Sequence, residues 1–144
     1  GWLATLTALA VPDRVHAVVL LAPAADMTDQ LMGPELPPEG REAIDRDGVW
    51  YRPSEYDDGP YPITRLLMED GARWSVLPGP VPIEKPVRIL QGGADPDVPW
   101  AHALKLSQAQ KGEDVVFTLI KDGDHRLSRP QDIERLVATV AEVA

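Results

Sequence analysis

The sequence predicts an α/β fold in which a parallel β-sheet is covered by helices. Three short runs of β-branched and aliphatic residues are typical of strands buried on both faces: residues 16–21 (HAVVLL), 87–91 (VRILQ) and 115–120 (VVFTLI). Segments with the apolar spacing of helices lie before, between and after these runs. Such an alternation of strands and helices is the pattern of a parallel sheet with right-handed crossover connections.

The predicted helices follow from apolar spacing and from residues that start or stop a helix. Residues 2–10 have helical spacing and run into Pro12, which favours an end to the helix. Residues 100–110 form a second helix, between the second and third strands. The last helix opens near Ser128, which can cap it, with Pro130 in the first turn, and it continues to the C-terminus.

A long segment separates the first strand from the second. Residues 1–25 and 86–144 carry the alternating pattern, whereas residues 26–85 are rich in proline and aromatic residues and have probable helices only at 38–45 and 63–70. An insertion of this length in a compact α/β domain is typical of a lid or binding element. We therefore predict a core of residues 1–25 and 86–144 and a cap insertion of residues 26–85, with a plain surface insertion as the alternative.

The composition argues against several classes of function. The 23 acidic residues exceed the 14 basic ones, for a net charge of −9, which disfavours binding to nucleic acid or to anionic membranes. The absence of cysteine excludes disulfides, zinc–thiolate sites and a cysteine nucleophile within these residues. No apolar run approaches the roughly 20 residues of a membrane helix, and no signal-peptide pattern opens the sequence. We expect a cytoplasmic protein with no membrane span.

Two glycine turns deliver reactive side chains to the ends of neighbouring predicted strands. Asp95 follows the second strand in the sequence GGAD, and His125 follows the third in DGDH. Because parallel strands end at one edge of a sheet, Asp95 and His125 should meet there. A carboxylate that accepts from the Nδ1–H of a histidine leaves Nε2 as a general base for a hydroxyl nucleophile. We predict an oxygen–nitrogen distance of about 2.6–3.2 Å for this pair.

The same residues permit other interpretations. Asp95 can be a turn residue only, and His125 can cap the following helix or lie in solvent. A metal site rich in oxygen ligands is a third possibility, formed by Asp95, Asp97, Asp122, Asp124 and His125. No recognised ligand spacing supports it, and we expect neither a metal nor a cofactor.

The two turns resemble the acid and histidine turns of the α/β-hydrolase fold. The first reads Gly-x-x-Asp-x-x-Val-Pro and the second, about thirty residues later, reads Gly-Asp-His. Over essentially its whole length the sequence resembles the serine-hydrolase family that contains the mitochondrial palmitoyl-protein thioesterase, also an acyl-glucuronide esterase, and its bacterial homologues. Further matching segments are Gly1-Trp2-Leu3, Ala24-Ala25-Asp26, Gly48-Val49-Trp50, Pro53-Ser54, Tyr56, Pro80-Val81-Pro82, Pro86 to Leu90, Asp95 to Trp100 and Asp124-His125-Arg126. Gln91 departs from the histidine more usual at its position.

The resemblance implies the C-terminal part of an α/β-hydrolase, with Asp95 as the acid and His125 as the base of a catalytic triad. In this family the nucleophilic serine lies in a Gly-x-Ser-x-Gly-Gly-Trp-Leu elbow. Gly1 matches the second glycine of the pair, which places the serine three residues before Gly1. The expected partner is therefore the N-terminal part of the same protein.

The implied substrate is a small-molecule or acyl ester or thioester, cleaved through an acyl-enzyme. Candidate residues lining its pocket are Trp50, Trp74 and Trp100, each of which can equally be a core residue. Two other functions remain open: a non-catalytic α/β binding module, and the C-terminal part of an acyl-peptide or prolyl peptidase. A Gly-x-Ser-x-Gly sequence upstream of Gly1 would favour the hydrolases over the binding module.

Overall fold

The computed structural model describes residues 1–53, 59–77 and 79–144, which form two compact units. One unit contains Gly1–Ala25 and Val76–Ala144, and the other contains Asp26–Ser75. Ser54 and Tyr56, which carry part of the sequence resemblance, lie outside the described residues.

Helices and strands alternate along the first unit, as the sequence predicts. Numbered in chain order through both units, the helices are α1 (Trp2–Ala10), α2 (Gly33–Glu35), α3 (Pro38–Asp47), α4 (Arg65–Arg73), α5 (Trp100–Ala109) and α6 (Pro130–Glu142). The strands are β1 (Val18–Leu21), β2 (Val49–Arg52), β3 (Tyr61–Thr64), β4 (Val87–Gly92) and β5 (Val115–Ile120). A short 3₁₀ turn (Pro12–Arg14) follows α1, and a π-helical turn (Thr28–Met32) precedes α2.

The first unit is built on a parallel sheet with the strand order β1-β4-β5. Val87 of β4 pairs with Val18 of β1 on one side and with Val115 of β5 on the other. Every residue of β4 is buried, which is why its sequence is an apolar run rather than an alternating pattern. The parallel sheet and its helices confirm the predicted α/β class.

The core of this unit joins the sheet to α5 and to the chain that leads into β4. Ile89 of β4 and Leu106 of α5 are completely buried in it. Val81 and Ile83 are buried in the same cluster, and the Val81 N–H donates to the Ala109 carbonyl at 2.7 Å. The segment before β4 therefore packs with the first unit, and the second unit ends at Ser75 rather than at residue 85.

The second unit contains an antiparallel strand pair that the sequence does not predict. Strand β2 pairs with β3, with Trp50 opposite Ile63. The helix predicted over 63–70 therefore begins only at Arg65, where the Thr64 hydroxyl accepts the Leu67 N–H at 3.0 Å. Helix α3 ends at Gly48, whose φ of 79° is a left-handed conformation that favours glycine.

Candidate active site

Asp95 and His125 meet just beyond the carboxyl ends of β4 and β5. Nδ1 of His125 lies 3.0 Å from Oδ2 of Asp95, within the distance expected from the sequence. An ionised carboxylate only accepts hydrogen bonds, so this contact requires the proton on Nδ1. Nε2 makes no hydrogen bond among the described residues, and the histidine side chain is 43% exposed. The geometry therefore leaves Nε2 open to a proton donor.

The Asp95 carboxylate is buried and surrounded by hydrogen-bond donors. Oδ1 accepts the backbone N–H groups of Asp97 and Val98, each at 2.9 Å. Oδ2 accepts from His125 and from the side-chain amide of Gln91, which is 3.1 Å away. Four donors thus replace the water that the carboxylate loses on burial, as a buried charge requires.

These donors decide the ionisation state of Asp95. Burial of the carboxyl group by itself raises its pKa, because desolvation disfavours the charged form. The hydrogen bonds from Val98, His125, Asp97 and Gln91 act in the opposite direction and together outweigh burial, so the pKa of Asp95 is held below its usual range. The group is therefore an anion at neutral pH, as an orienting partner of histidine must be.

Two glycines at the end of β4, Gly92 within the strand and Gly93 directly after it, allow the two turns to approach each other closely. A Cβ atom added to Gly92 would overlap the carbonyl oxygens of Gly123 and Asp124, and one added to Gly93 would lie 2.5 Å from the Lys121 carbonyl oxygen. Because neither residue has a Cβ, the backbones come close enough for the Gly93 N–H to donate to the Ile120 carbonyl at 2.7 Å. The glycine pair therefore brings the acid turn against the histidine turn.

The histidine turn is held on its other side by a network of ion pairs. Asp124 Oδ1 accepts the N–H of Leu127, a buried residue with a φ of 46°. The Arg129 guanidinium binds Asp122, at the start of the turn, with a shortest distance of 2.7 Å, and Asp132, in the first turn of α6, at 2.6 Å. The network links both ends of the turn to α6.

The five residues considered for a metal site do not come together as one set. Donor atoms of Asp95, Asp97 and His125 lie within 4.8 Å of one another, so these three could share a ligand. Asp122 and Asp124 instead bind Arg129 and the Leu127 N–H. The carboxylate of Asp95 already has four protein donors, which occupy the oxygens that a cation would use.

The three candidate tryptophans have different surroundings. Trp100 is the first residue of α5, soon after the Asp95 turn, and is 45% exposed. Trp50 and Trp74 belong to the second unit, where Trp74 is 55% exposed. Trp50 is half-buried, packs against Gly40 and lines a small cavity with Met32 and other residues of that unit. A role for these residues in binding substrate stays a prediction.

Gln91 contacts Asp95, and the sequence patterns did not predict this contact. Its position directly before the glycine pair was the available signal, because the side chain at the end of a buried strand and the turn that follows it share one edge of the sheet. The structure buries Gln91 completely against Asp95.

The fold and the paired turns define an architecture found in the α/β hydrolases. Among curated proteins the chain is similar to "Palmitoyl-protein thioesterase ABHD10, mitochondrial": it is 34% identical over 145 residues to the Bos taurus protein and 32% identical over 144 residues to the Homo sapiens protein. These matches cover 99% of this chain and 47% of each relative, so the chain spans about half the length of the curated relatives. No family model matches the sequence.

Solved structures agree with this assignment of the fold. A hydrolase candidate from Agrobacterium vitis S4 superposes with a TM-score of 0.91 at 43% identity, over 99% of this chain and 57% of its own. Alpha/beta hydrolase domain-containing protein 10 from mouse superposes with a TM-score of 0.84 at 34% identity, over 98% of this chain and 56% of its own. The predicted resemblance to the α/β hydrolases that include the mitochondrial palmitoyl-protein thioesterase is confirmed.

The cytoplasmic location predicted from the sequence is contradicted by these relatives, whose names place them in mitochondria. That prediction was based on composition and on the lack of a long apolar run, and folded α/β domains share those properties in either compartment. Separately, none of the helices in residues 1–53, 59–77 and 79–144 is both long enough and apolar enough to cross a membrane.

Proposed function

We propose that this chain is the C-terminal part of a serine hydrolase that cleaves esters or thioesters through an acyl-enzyme. The observation that carries the proposal is the 3.0 Å contact between Asp95 Oδ2 and His125 Nδ1, with Nε2 left open at a partly exposed ring. A histidine in this state is suited to accept a proton from a hydroxyl group. The similarity to hydrolases over 99% of the chain supports the same reaction class.

In the proposed mechanism, His125 Nε2 removes the proton from a serine hydroxyl as its oxygen attacks the substrate carbonyl. The resulting imidazolium is stabilised by the Asp95 carboxylate and gives its proton to the leaving alcohol or thiol. The same nitrogen then removes a proton from water as the water oxygen attacks the acyl carbon. The bond between the acyl group and the serine oxygen breaks, the imidazolium returns its proton to that oxygen, and the acid leaves. The serine is expected upstream of Gly1, in the elbow that the Gly1-Trp2-Leu3 sequence resembles, and the reaction needs neither a metal nor a cofactor.

The residues that bind the acyl and leaving groups are proposed by analogy with lids of this fold. We assign this role to the part of the predicted insertion that forms the second unit, Asp26–Ser75, with Trp50, Trp74 and Trp100 as candidate contacts. The name of the curated relatives specifies a palmitoyl-protein thioesterase, which makes a long-chain acyl thioester the first substrate to test. Oxygen esters pass through the same tetrahedral intermediate and are therefore tested beside it.

The proposal is tested in the full-length natural protein that contains this chain. We expect hydrolysis of an acyl thioester or a p-nitrophenyl ester, and labelling of one serine upstream of Gly1 by a fluorophosphonate. His125→Ala and Asp95→Asn should lower kcat by roughly 10³-fold or more. The matched controls are His16→Ala and Asp13→Asn, since both side chains are exposed outside the site.

Three outcomes would overturn the proposal. Unlabelled protein with no hydrolysis would favour a non-catalytic α/β module. Activity that survives His125→Ala would remove His125 from the mechanism. Cleavage of acyl-peptides or prolyl peptides in preference to esters would indicate the peptidase alternative.

A further inference from the structure

Gln91 is a buried polar residue to which the proposed mechanism gives no task. It lies in β4, the central strand of the sheet, and its side chain has no exposed surface. Its amide nitrogen is 3.1 Å from Oδ2 of Asp95, and its Oε1 is buried without a hydrogen-bond partner among the described residues. A buried amide with one atom unsatisfied is costly, which suggests a function beyond packing.

The surroundings of the amide determine which of its two ends faces Asp95. Nε2 is 2.9 Å from the Val98 carbonyl oxygen, 3.0 Å from the Gly92 carbonyl oxygen and 3.1 Å from Asp95 Oδ2. All three neighbours are acceptors, so the opposite orientation would place an oxygen against three other oxygens. The amide therefore donates to the carboxylate.

The four donors to Asp95 differ in what they are attached to. The N–H groups of Asp97 and Val98 belong to the same turn as Asp95 and move with it. The Gln91 amide projects from the central strand and also binds the Val98 carbonyl, so it connects that turn to the sheet. It donates to Oδ2, the same oxygen that accepts from His125 Nδ1.

We propose that Gln91 is a positioning residue, whose amide holds Oδ2 of Asp95 in place for Nδ1 of His125. The inference deepens the proposed function and rests on it. Gln91 acts through Asp95, because the described partners of its amide are Asp95, Val98 and Gly92.

Two substitutions in the full-length natural protein separate this role from packing. Gln91→Met keeps the approximate size and removes the donor, and should lower kcat by about 10- to 100-fold with KM unchanged, the range expected for one hydrogen bond to a charged group. Gln110→Met is the matched control, because Gln110 also has a buried unpaired Oε1, whereas its side-chain amide donates only to the Leu106 carbonyl among the described residues.

Gln91→Glu supplies a donor whose presence depends on pH. A protonated glutamic acid can donate to Asp95, whereas an ionised one places two carboxylates side by side and donates nothing. Two further titratable groups lie beside Asp95: one carboxylate oxygen of Asp97 and one ring nitrogen of His125 are within 4.8 Å of an Asp95 oxygen. We expect kcat/KM of Gln91→Glu to fall as the pH rises through the pKa of the new carboxyl group. This additional ionisation should be absent from the profiles of the wild type and of Gln91→Met.

The hydrogen bond between Asp95 and His125 can also be followed by NMR, without any measurement of catalysis. In ¹⁵N-histidine-labelled protein the Nδ1–H resonance of His125 should be protected in the wild type and in Gln110→Met, and exchange faster in Gln91→Met. If this holds while the wild type hydrolyses nothing, the proposed function fails and the positioning role survives.

Other results would overturn the positioning role. These are a Gln91→Met variant within twofold of wild-type kcat, or a Gln91→Glu profile parallel to that of the wild type at every pH. If Gln91→Met does not fold, the Gln91→Glu profile decides alone.

Discussion

A buried carboxylate is costly unless its neighbours supply hydrogen bonds, and Asp95 is such a residue. Its oxygens accept two backbone and two side-chain donors, and these lower its pKa against the effect of burial. The same contacts hold the oxygen that faces His125, so the groups that keep Asp95 charged also define the direction of its hydrogen bond to His125.

The lowered pKa of Asp95 predicts a specific pH dependence of stability. Because the folded pKa is below the ordinary value of about 3.9, the unfolded chain binds more protons near pH 4. The stabilisation by ionised Asp95 is thus present above about pH 4 and is lost as the pH falls through the folded pKa. We expect the free energy of unfolding, measured with urea, to fall more steeply from about pH 5 to pH 2 in the full-length wild type than in Asp95→Asn. Asp13→Asn should keep the wild-type slope; parallel curves for the wild type and Asp95→Asn would contradict this.

The elements of the site depend on contacts between backbones as much as on side chains. Strands β4 and β5 end side by side, and the glycine pair at the end of β4 lies against the turn that carries His125. On the far side of this turn, Arg129 joins Asp122 to Asp132 of α6. The histidine is therefore held between the sheet and a helix.

Adding one methyl group to the glycine turn should separate the two loops. In Gly92→Ala the new Cβ overlaps the carbonyl oxygens of Gly123 and Asp124, which belong to backbone and cannot turn aside. We expect a loss of about 1–3 kcal/mol in the free energy of unfolding, and a loss of activity in the protein that remains folded. Gly59→Ala is the control, since a Cβ there meets nothing within 4 Å. Equal stability of the two variants would show that the close approach is not required.

Replacing the guanidinium of Arg129, the N-cap residue of α6, should loosen the turn that carries His125. Lysine cannot bind two carboxylates through a planar fork, so Arg129→Lys loses part of the connection between Asp122 and Asp132. We expect faster hydrogen exchange in residues 121–129 and a reduction of kcat by roughly 3- to 10-fold. Arg46→Lys is the matched control because Arg46 pairs only with its exposed neighbour Asp47 among the described residues. Unchanged exchange in residues 121–129 would refute the proposed restraint.

For the molecule as a whole, the unpaired edge of the sheet has consequences for solubility. Among the described residues, β1 pairs only with β4, and its other edge has no strand partner. Apolar side chains on α6 are also exposed, with Val137 at 61% and Ile133 at 48%. Open apolar edges and faces of this kind favour association with another chain.

We therefore expect residues 1–144, produced alone, to self-associate, aggregate or require the N-terminal part of the protein, and to leave p-nitrophenyl esters intact. Light scattering after size exclusion measures the association, and co-expression with the upstream part should restore a soluble, active protein. A monomeric chain that unfolds cooperatively would show that the edge is tolerated. Esterase activity that disappears in the His125→Ala variant of this chain would show that the nucleophile lies within it.

The sequence alone was sufficient for the α/β class, the three core strands and the meeting of Asp95 with His125. Hydrophobic runs report local burial, and the parallel direction of buried strands then brings both turns to one edge of the sheet. One local prediction was wrong, namely that Ser128 caps the last helix. Helix α6 begins at Pro130 with Arg129 at the N-cap position, and no side chain caps it.

Only the tertiary structure decided the pairing of β2 with β3, the packing of Val81 in the core and the contact of Gln91 with Asp95. These features depend on partners far away in the chain or on the burial of a polar side chain, and a local pattern of residue types contains neither. Strand pairing is determined by which surfaces are covered together. A glutamine has the same sequence signal whether its amide meets water or, as Gln91 does, a buried carboxylate.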